Sequence, residues 1–334
     1  MSQKTVVAID AGRSAVKVAF KTPASAGRFI FPSAAIPART LSDEAEAARA
    51  KPDTVVINGM PYWVGETAVV QRGPVGGTSL SDEWIESDEH SVLLLSALKR
   101  LHAYGAGLGD KLIVLGLPGR QFQQQKGRLE NVAKKLFDYE VKVVPQPKAP
   151  FNRILQKEDG TLAAGRSLDE SYAVIDVGRY TTDLAIIVQG RFIESGLDSC
   201  SGTKGAAEKM LQLMSQKGLS VSLTDAERAL ATRSIRFKGE VIDLGREVKI
   251  ALQSFQDEVM ATVNRLIDPY SATLHGIILA GGGAPFIEEP LKRSWKTIIT
   301  APGEDSRYMV AEGMARWAAG ILLARRNAVA YTAA

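Results

Sequence analysis

Two aspartates, Asp10 and Asp176, each end a run of apolar residues, and each is followed two positions later by a glycine. The segments around them read VVAIDAGRSAVKVAF (6–20) and YAVIDVGRYTTDLAI (172–186), a strand, a tight turn and a strand written twice in one chain. Gly12 and Gly178 allow backbone angles that other residues resist, and successive backbone N–H groups in such a turn form a concave anion site. Arg13, Ser14 and Lys17 in the first copy and Arg179, Tyr180, Thr181 and Thr182 in the second add donors suited to phosphate oxygens. Paired aspartates suit magnesium, which keeps several of its waters. A third feature, Gly281, Gly282 and Gly283, follows the apolar run GIILA. Either hairpin alone reads as an ordinary acidic turn. Two copies and a triple-glycine turn together read as a phosphate-binding arrangement.

The elements that must position these residues follow the same order twice. After the first hairpin comes a Pro/Gly-rich stretch to residue 80, read as a small inserted unit. A helix over SDEHSVLLLSALKRLHAYG is expected to start at Ser87 and stop at Gly105. KLIVLGLPG reads as a buried strand, RQFQQQKGRLENVAKKLFDY as an amphipathic helix, and EVKVVPQPKAP as a strand ended by prolines. The second half repeats the hairpin, then a polar turn, ESGLDSCSGTKG, and a helix, AAEKMLQLMSQKG. A helical insertion follows over about 220–270, with a capping box on Thr224 and Glu227 and a long helix over roughly 244–267. A last helix is expected over roughly 307–325.

Bulk properties narrow the function. The 334 residues carry 45% hydrophobic and 23% charged side chains, a globular composition with room for two domains. A net charge of +4 is spread without a basic tract, which argues against direct nucleic-acid binding as the main activity. One cysteine, Cys200, and three scattered histidines supply neither a disulfide nor a metal-ligand pattern. No apolar run approaches a membrane span, so no membrane association and a cytoplasmic location are expected. GTLAAGRS, residues 160–167, falls one substitution short of a P-loop, but it follows KEDG rather than a strand and reads as a surface loop.

At this point AIDAGRSAVK resembles the first phosphate motif of the actin-like ATPase superfamily, VIDVGRYTTDLAI the second, and ILAGGGAPF its adenosine motif. Within the superfamily, FIFPSAAI with INGMPYWVGETAV resembles the bacterial plasmid-segregation actins, the ParM/StbA group. The resemblance implies an α/β, actin-like ATPase fold: two ribonuclease H-like domains flanking a nucleotide cleft, each with an inserted subdomain. The domains would cover 1–150 (insertion about 25–80) and 151–306 (insertion about 220–270), with a C-terminal helix in 307–334 packing back on the first. ATP would lie between the hairpins with magnesium near Asp10 and Asp176; GTP is the alternative, because base contacts lie outside these motifs. Gly281, Gly282 and Gly283 would border the sugar and α-phosphate. Lys204 and Glu208 would border the adenosine side, or form a surface ion pair. Gln146 falls where the resemblance puts the water-orienting residue, with Asp176 as its catalytic partner. Segregation actins commonly carry glutamate there; glutamine exchanges hydrogen bonds but is no strong base. The implied activity is ATP-driven filament assembly that moves DNA through an adaptor protein. The alternatives are a non-filamentous regulator and a metabolite kinase of the same fold.

Overall fold

The computed structural model describes residues 4–72, 81–107 and 109–332. Part of the inserted unit expected up to residue 80 therefore lies outside the described residues. The chain divides into two compact units, Met1–Leu168 with Arg307–Ala334, and Asp169–Ser306.

In the first unit, β1 (Thr5–Ala11), β2 (Ala15–Lys21) and β3 (Ala26–Pro32) run antiparallel. Between β3 and the rest of the sheet comes a small insertion. It comprises β4 (Ala35–Pro37), α1 (Glu44–Ala50), β5 (Thr54–Ile57), β6 (Met60–Val64) and α2 (Glu66–Arg72), with strand order β4-β6-β5. After α3 (Asp88–Arg100), β7 (Lys111–Leu117) pairs in parallel with β1. Then come α4 (Phe122–Leu136), β8 (Glu140–Pro145), parallel to β7, and α5 (Lys148–Leu155). The central strands β1 and β7 are buried on both faces, which is why VVAI and LIVL are unbroken apolar runs rather than alternating ones.

The second unit repeats this order. β9 (Tyr172–Val177), β10 (Thr181–Val188) and β11 (Arg191–Ser201) run antiparallel. α6 (Lys204–Gln216) precedes an insertion of α7 (Leu223–Thr232), β12 (Ser234–Phe237), β13 (Glu240–Asp243) and α8 (Gly245–Leu266). β14 (Gly276–Ala280), α9 (Ala284–Ser294) and β15 (Ile298–Thr300) close it, and α10 (Met309–Thr332) returns to the first unit. The two five-stranded sheets have orders β3-β2-β1-β7-β8 and β11-β10-β9-β14-β15, one topology used twice.

Three expectations are corrected. ESGLDSCS is not a turn: it lies in β11, an 11-residue edge strand whose register on β10 shifts between Leu184 and Ile186. An edge strand with one solvated side tolerates polar residues that a central strand would not. β8 ends at Pro145 as expected, and Pro147 and Pro150 beyond it fall at the N-cap and first turn of α5, where a missing N–H leaves no hydrogen bond unmade. The second insertion is not wholly helical, because Lys238 and Gly239 both take positive φ (50° and 92°) and turn β12 back on β13. Its first helix is capped by Ser222, whose hydroxyl accepts from Asp225 N at 3.2 Å while Asp225 accepts from Ser222 N at 3.1 Å. That box, not Thr224 with Glu227, starts α7 and leaves Glu227 available elsewhere.

Residues 151–168 belong with the first unit because α5 packs along α10. The crossing is close: a Cβ on Gly313 would lie 1.7 Å from the carbonyl oxygen of Ala149. Beside it Glu312 accepts from Arg28 at 2.6 Å and from Arg153 at 2.7 Å. Gly313→Ala should therefore lower stability by about 3 kcal/mol through overpacking, whereas Gly127→Ala, with open space around an exposed position of α4, should raise it by about 0.5–1 kcal/mol. Urea unfolding of the two variants checks both signs; equal effects would mean that the crossing is not tight.

Candidate functional site

In the first hairpin the antiparallel register sets Lys17 directly opposite Asp10. Asp10 is 4% exposed, and Lys17 Nζ lies 3.1 Å from its Oδ2. Gln146 Nε2 donates to the other carboxylate oxygen, Oδ1, at 2.7 Å. A buried carboxylate is costly unless its charge and lone pairs are met, and here both oxygens are engaged. Gln146 is itself held at the β8–α5 junction, donating its N–H to Leu117 O at 2.8 Å and accepting from Ala149 N at 2.9 Å. With its amide nitrogen committed to Asp10, its Oε1 is the remaining acceptor.

The turn between β1 and β2 is held by Ser33, which the sequence reading missed. Its hydroxyl donates to Gly12 O and its N–H to Ser14 O, while Ser14 itself is exposed. A Cβ on Gly12 would meet Lys17 Nζ at 3.0 Å. Arg13 reaches back into its own unit, donating to Ser81 O at 2.8 Å with its guanidinium 4.9 Å from the Trp84 ring centre. Trp84 in turn meets His90 edge-on, ring centres 4.6 Å apart. Burial pushes the His90 imidazole down to about 4, opposed by a hydrogen bond with the Ile85 backbone and aided by the Arg13 charge.

The second hairpin differs at the position equivalent to Lys17. There Asp183 faces Asp176 across the ladder, two carboxylates directly opposite on one side of the sheet. Like charges so placed destabilise a strand pair unless donors or a cation offset them. Thr181 Oγ1 donates to Asp183 at 3.1 Å. Asp183 was missed by sequence reading, although aligning the two hairpins on Asp10 and Asp176 pairs it with Lys17. Thr182 is buried, its hydroxyl donating to Ser201 O at 2.9 Å.

Three segments converge on the end of β9. Thr203 N donates to Gly178 O at 3.1 Å and Lys204 N to Arg179 O at 2.8 Å, drawing the start of α6 onto the turn. Gly283 N donates to Val177 O at 2.9 Å. Gly281 has φ +90°, and a Cβ there would fall 2.5 Å from Asp176 Oδ1 and 2.4 Å from Val177 O. A Cβ on Gly283 would fall 2.4 Å from Val177 Cγ1 and 2.6 Å from Thr203 Cγ2. Gly281 and Gly283 are thus required by the packing of the protein itself, and Gly282 between them is exposed. Arg179 Nε donates to Glu227 of α7 at 2.5 Å and its Nη1 to Tyr180 Oη at 2.8 Å, so the residue freed from the cap ties the insertion to this turn. Lys204 and Glu208 form an i,i+4 ion pair at 3.0 Å, both more than a third exposed. No helix among the described residues is long and apolar enough to cross a membrane.

Two sequence families meet in this chain: actin-like protein N-terminal domains match residues 8–149, and archaeal MreB-like actin homologue C-terminal domains match residues 174–293. Over these two stretches the chain is similar to actin-like families. Comparison with curated proteins gives no sequence match. Among solved structures, the archaeal actin homolog Ta0583 in complex with ADP is 18% identical with a TM-score of 0.71, covering 94% of this chain and 99% of its own. A 15-stranded ParM filament from Clostridium botulinum is 20% identical with a TM-score of 0.72, covering 95% and 99%. The actin-like protein Alp7A is 15% identical with a TM-score of 0.70, covering 99% and 100%. At these identities the likeness establishes the actin-like fold of two ribonuclease H-like lobes.

The buried imidazole beneath Arg13 makes an acid-sensitivity prediction. His90 titrates near 4 when folded and near 6.5 when unfolded, so the unfolded chain takes up the proton first as pH falls. Its contribution is complete above about 6.5 and is lost on the way down to about 4, costing about 2 kcal/mol between pH 6.5 and 5. Urea midpoints should show that slope in the natural protein and lose it in His90→Gln; an unchanged slope would place the acid-sensitive group elsewhere.

Proposed function

We propose that this actin-like chain is an ATPase that polymerises into nucleotide-dependent filaments, serving plasmid or other DNA segregation through a DNA-binding adaptor. The observation that carries the reading is the duplicated hairpin, one per unit, each ending a buried strand on an aspartate beside a glycine turn. In the second unit the turn is joined by the Thr203 and Gly281–Gly283 backbones, a concentration of peptide groups suited to phosphates. Support for assembly comes from relatives whose structures are filaments, the Clostridium botulinum ParM and MamK.

The donor set fits magnesium held largely through water. Among the described residues no cluster of three His, Cys, Asp or Glu side chains forms a protein cage, and magnesium characteristically binds one or two carboxylates together with phosphates and waters. Asp10 and Asp176 would be those carboxylates, and an ion of charge +2 would also offset the Asp176–Asp183 opposition. When bound, the metal supplies charge neutralisation for the phosphates. The chain's own contribution is positional. Lys17 and Gln146 fix Asp10, and Gln146 Oε1 would accept a hydrogen bond from the attacking water and orient it without removing a proton.

Three outcomes check this. Titration calorimetry should show magnesium-dependent ATP binding that Asp176→Ala weakens by at least about tenfold with the fold intact; unchanged affinity moves the site. Gln146→Ala should slow phosphate release at least about tenfold while ATP affinity stays nearly constant, the signature of an interaction made in the transition state. Light scattering should rise on adding magnesium-ATP and decay as phosphate appears. A monomer at high concentration with ATP and with a non-hydrolysable analogue favours a nucleotide-binding regulator, or a metabolite kinase, over a filament.

A further inference from the structure

Ser306, the last residue of the second unit, is 2% exposed, and both its hydroxyl and its carbonyl meet one residue of the glycine loop. The hydroxyl donates to Gly281 O at 2.9 Å, and the carbonyl accepts from Gly281 N at 3.0 Å. The same hydroxyl lies 3.0 Å from Gly303 O, in the short helical turn Gly303–Tyr308. A hydroxyl has one proton, so the two carbonyls share it. All of these residues belong to the second unit.

The contact fixes more than Gly281. Gly281 has φ +90° and no room for a Cβ beside Asp176 Oδ1 and Val177 O, so the end of β9 sets where it lies. The direction of the peptide plane that follows is not set by that packing, because glycine tolerates wide rotation. Ser306 Oγ at 2.9 Å and Ala284 N at 3.3 Å draw the Gly281 carbonyl to their side. The peptide to Gly282 is trans and planar, so its N–H points opposite to that carbonyl. Gly282 N–H is therefore turned away from Ser306 and from the first turn of α9. Gly282 is exposed, and among the described residues its N–H has no hydrogen-bond partner. The donors around it are committed: Gly281 N to Ser306, Gly283 N to Val177 O at 2.9 Å, and Ala284 N to Gly281 O.

We infer that Ser306 is a positioning residue, whose hold on the Gly281 carbonyl aims the Gly282 N–H at a phosphate oxygen of a bound nucleotide. A backbone N–H bonds an anionic oxygen more strongly than a neutral one, so the ligand class it serves is a nucleoside phosphate rather than a nucleoside. The inference rests on the nucleotide-binding reading above and assigns one of its donors.

The test follows amide exchange by NMR in the full chain carrying isotope-labelled glycine, with and without magnesium-ADP. In the natural chain Gly282 exchanges fast alone and at least about tenfold more slowly with nucleotide, whereas Gly283 is protected in both states. In Ser306→Ala the nucleotide no longer slows Gly282, and affinity for magnesium-ADP falls about fivefold. Gly283 stays protected in that variant, which separates a misaimed donor from a lost fold. Should Ser306→Ala not fold, Ser306→Cys, whose thiol is a weaker donor, shows the same changes in smaller measure. A natural chain that binds nucleotide without slowing Gly282 overturns this role and leaves the nucleotide reading standing. So does a folded variant at Ser306 that binds and protects like the natural chain. A natural chain that binds no nucleotide overturns both.

Discussion

A buried carboxylate that must be answered from inside its own unit organises the first half of this protein. Asp10 ends a strand buried on both faces, so its charge has little water to meet it. The β1–β2 register brings Lys17 to one oxygen, and the break between β8 and α5 brings Gln146 to the other. Those two contacts tie together the Asp-x-Gly turn, the far strand of the sheet and the helix α5 that packs on α10. Removing either partner leaves a desolvated charge, which is more costly than the pair is worth. The hairpin is therefore a structural joint of the first unit.

The second unit solves the same geometry differently. Where Lys17 neutralises Asp10, Asp183 opposes Asp176, and the turn is instead surrounded by backbone from α6 and the glycine loop. One duplicated motif thus sets a lysine opposite its aspartate in one unit and a second carboxylate opposite it in the other. Arg179 extends the difference: its ion pair to Glu227 joins the turn to the inserted helix α7, whereas Arg13 is stacked on Trp84 next to α3. In both units the residue after the motif glycine connects the turn to structure outside the main sheet.

The glycines separate two kinds of requirement. Gly281 and Gly283 have no room for a side chain because the end of β9 occupies it, a constraint present without any ligand. Gly282, between them, is exposed. A glycine run that reads from sequence as ligand clearance is, at two of three positions, a close approach of the chain to itself.

What the sequence determined by itself was local and periodic. The doubled Asp-x-Gly turn, the unbroken apolar strands and the Ser87 cap follow from residue types at short spacing, and they were enough to indicate two similar α/β halves. Residues joined across long separations were decided only by the tertiary structure. Gln146 meeting Asp10, Ser33 holding Gly12 and Glu227 taking Arg179 depend on which strands pair and which helix packs where. The polar ESGLDSCS stretch became a strand because β10 offered it an edge, and Thr224 lost the cap to Ser222 because the chain entered α7 two residues earlier. Short-range propensity sets which conformations are cheap. Pairing, burial and charge satisfaction across the fold select among them.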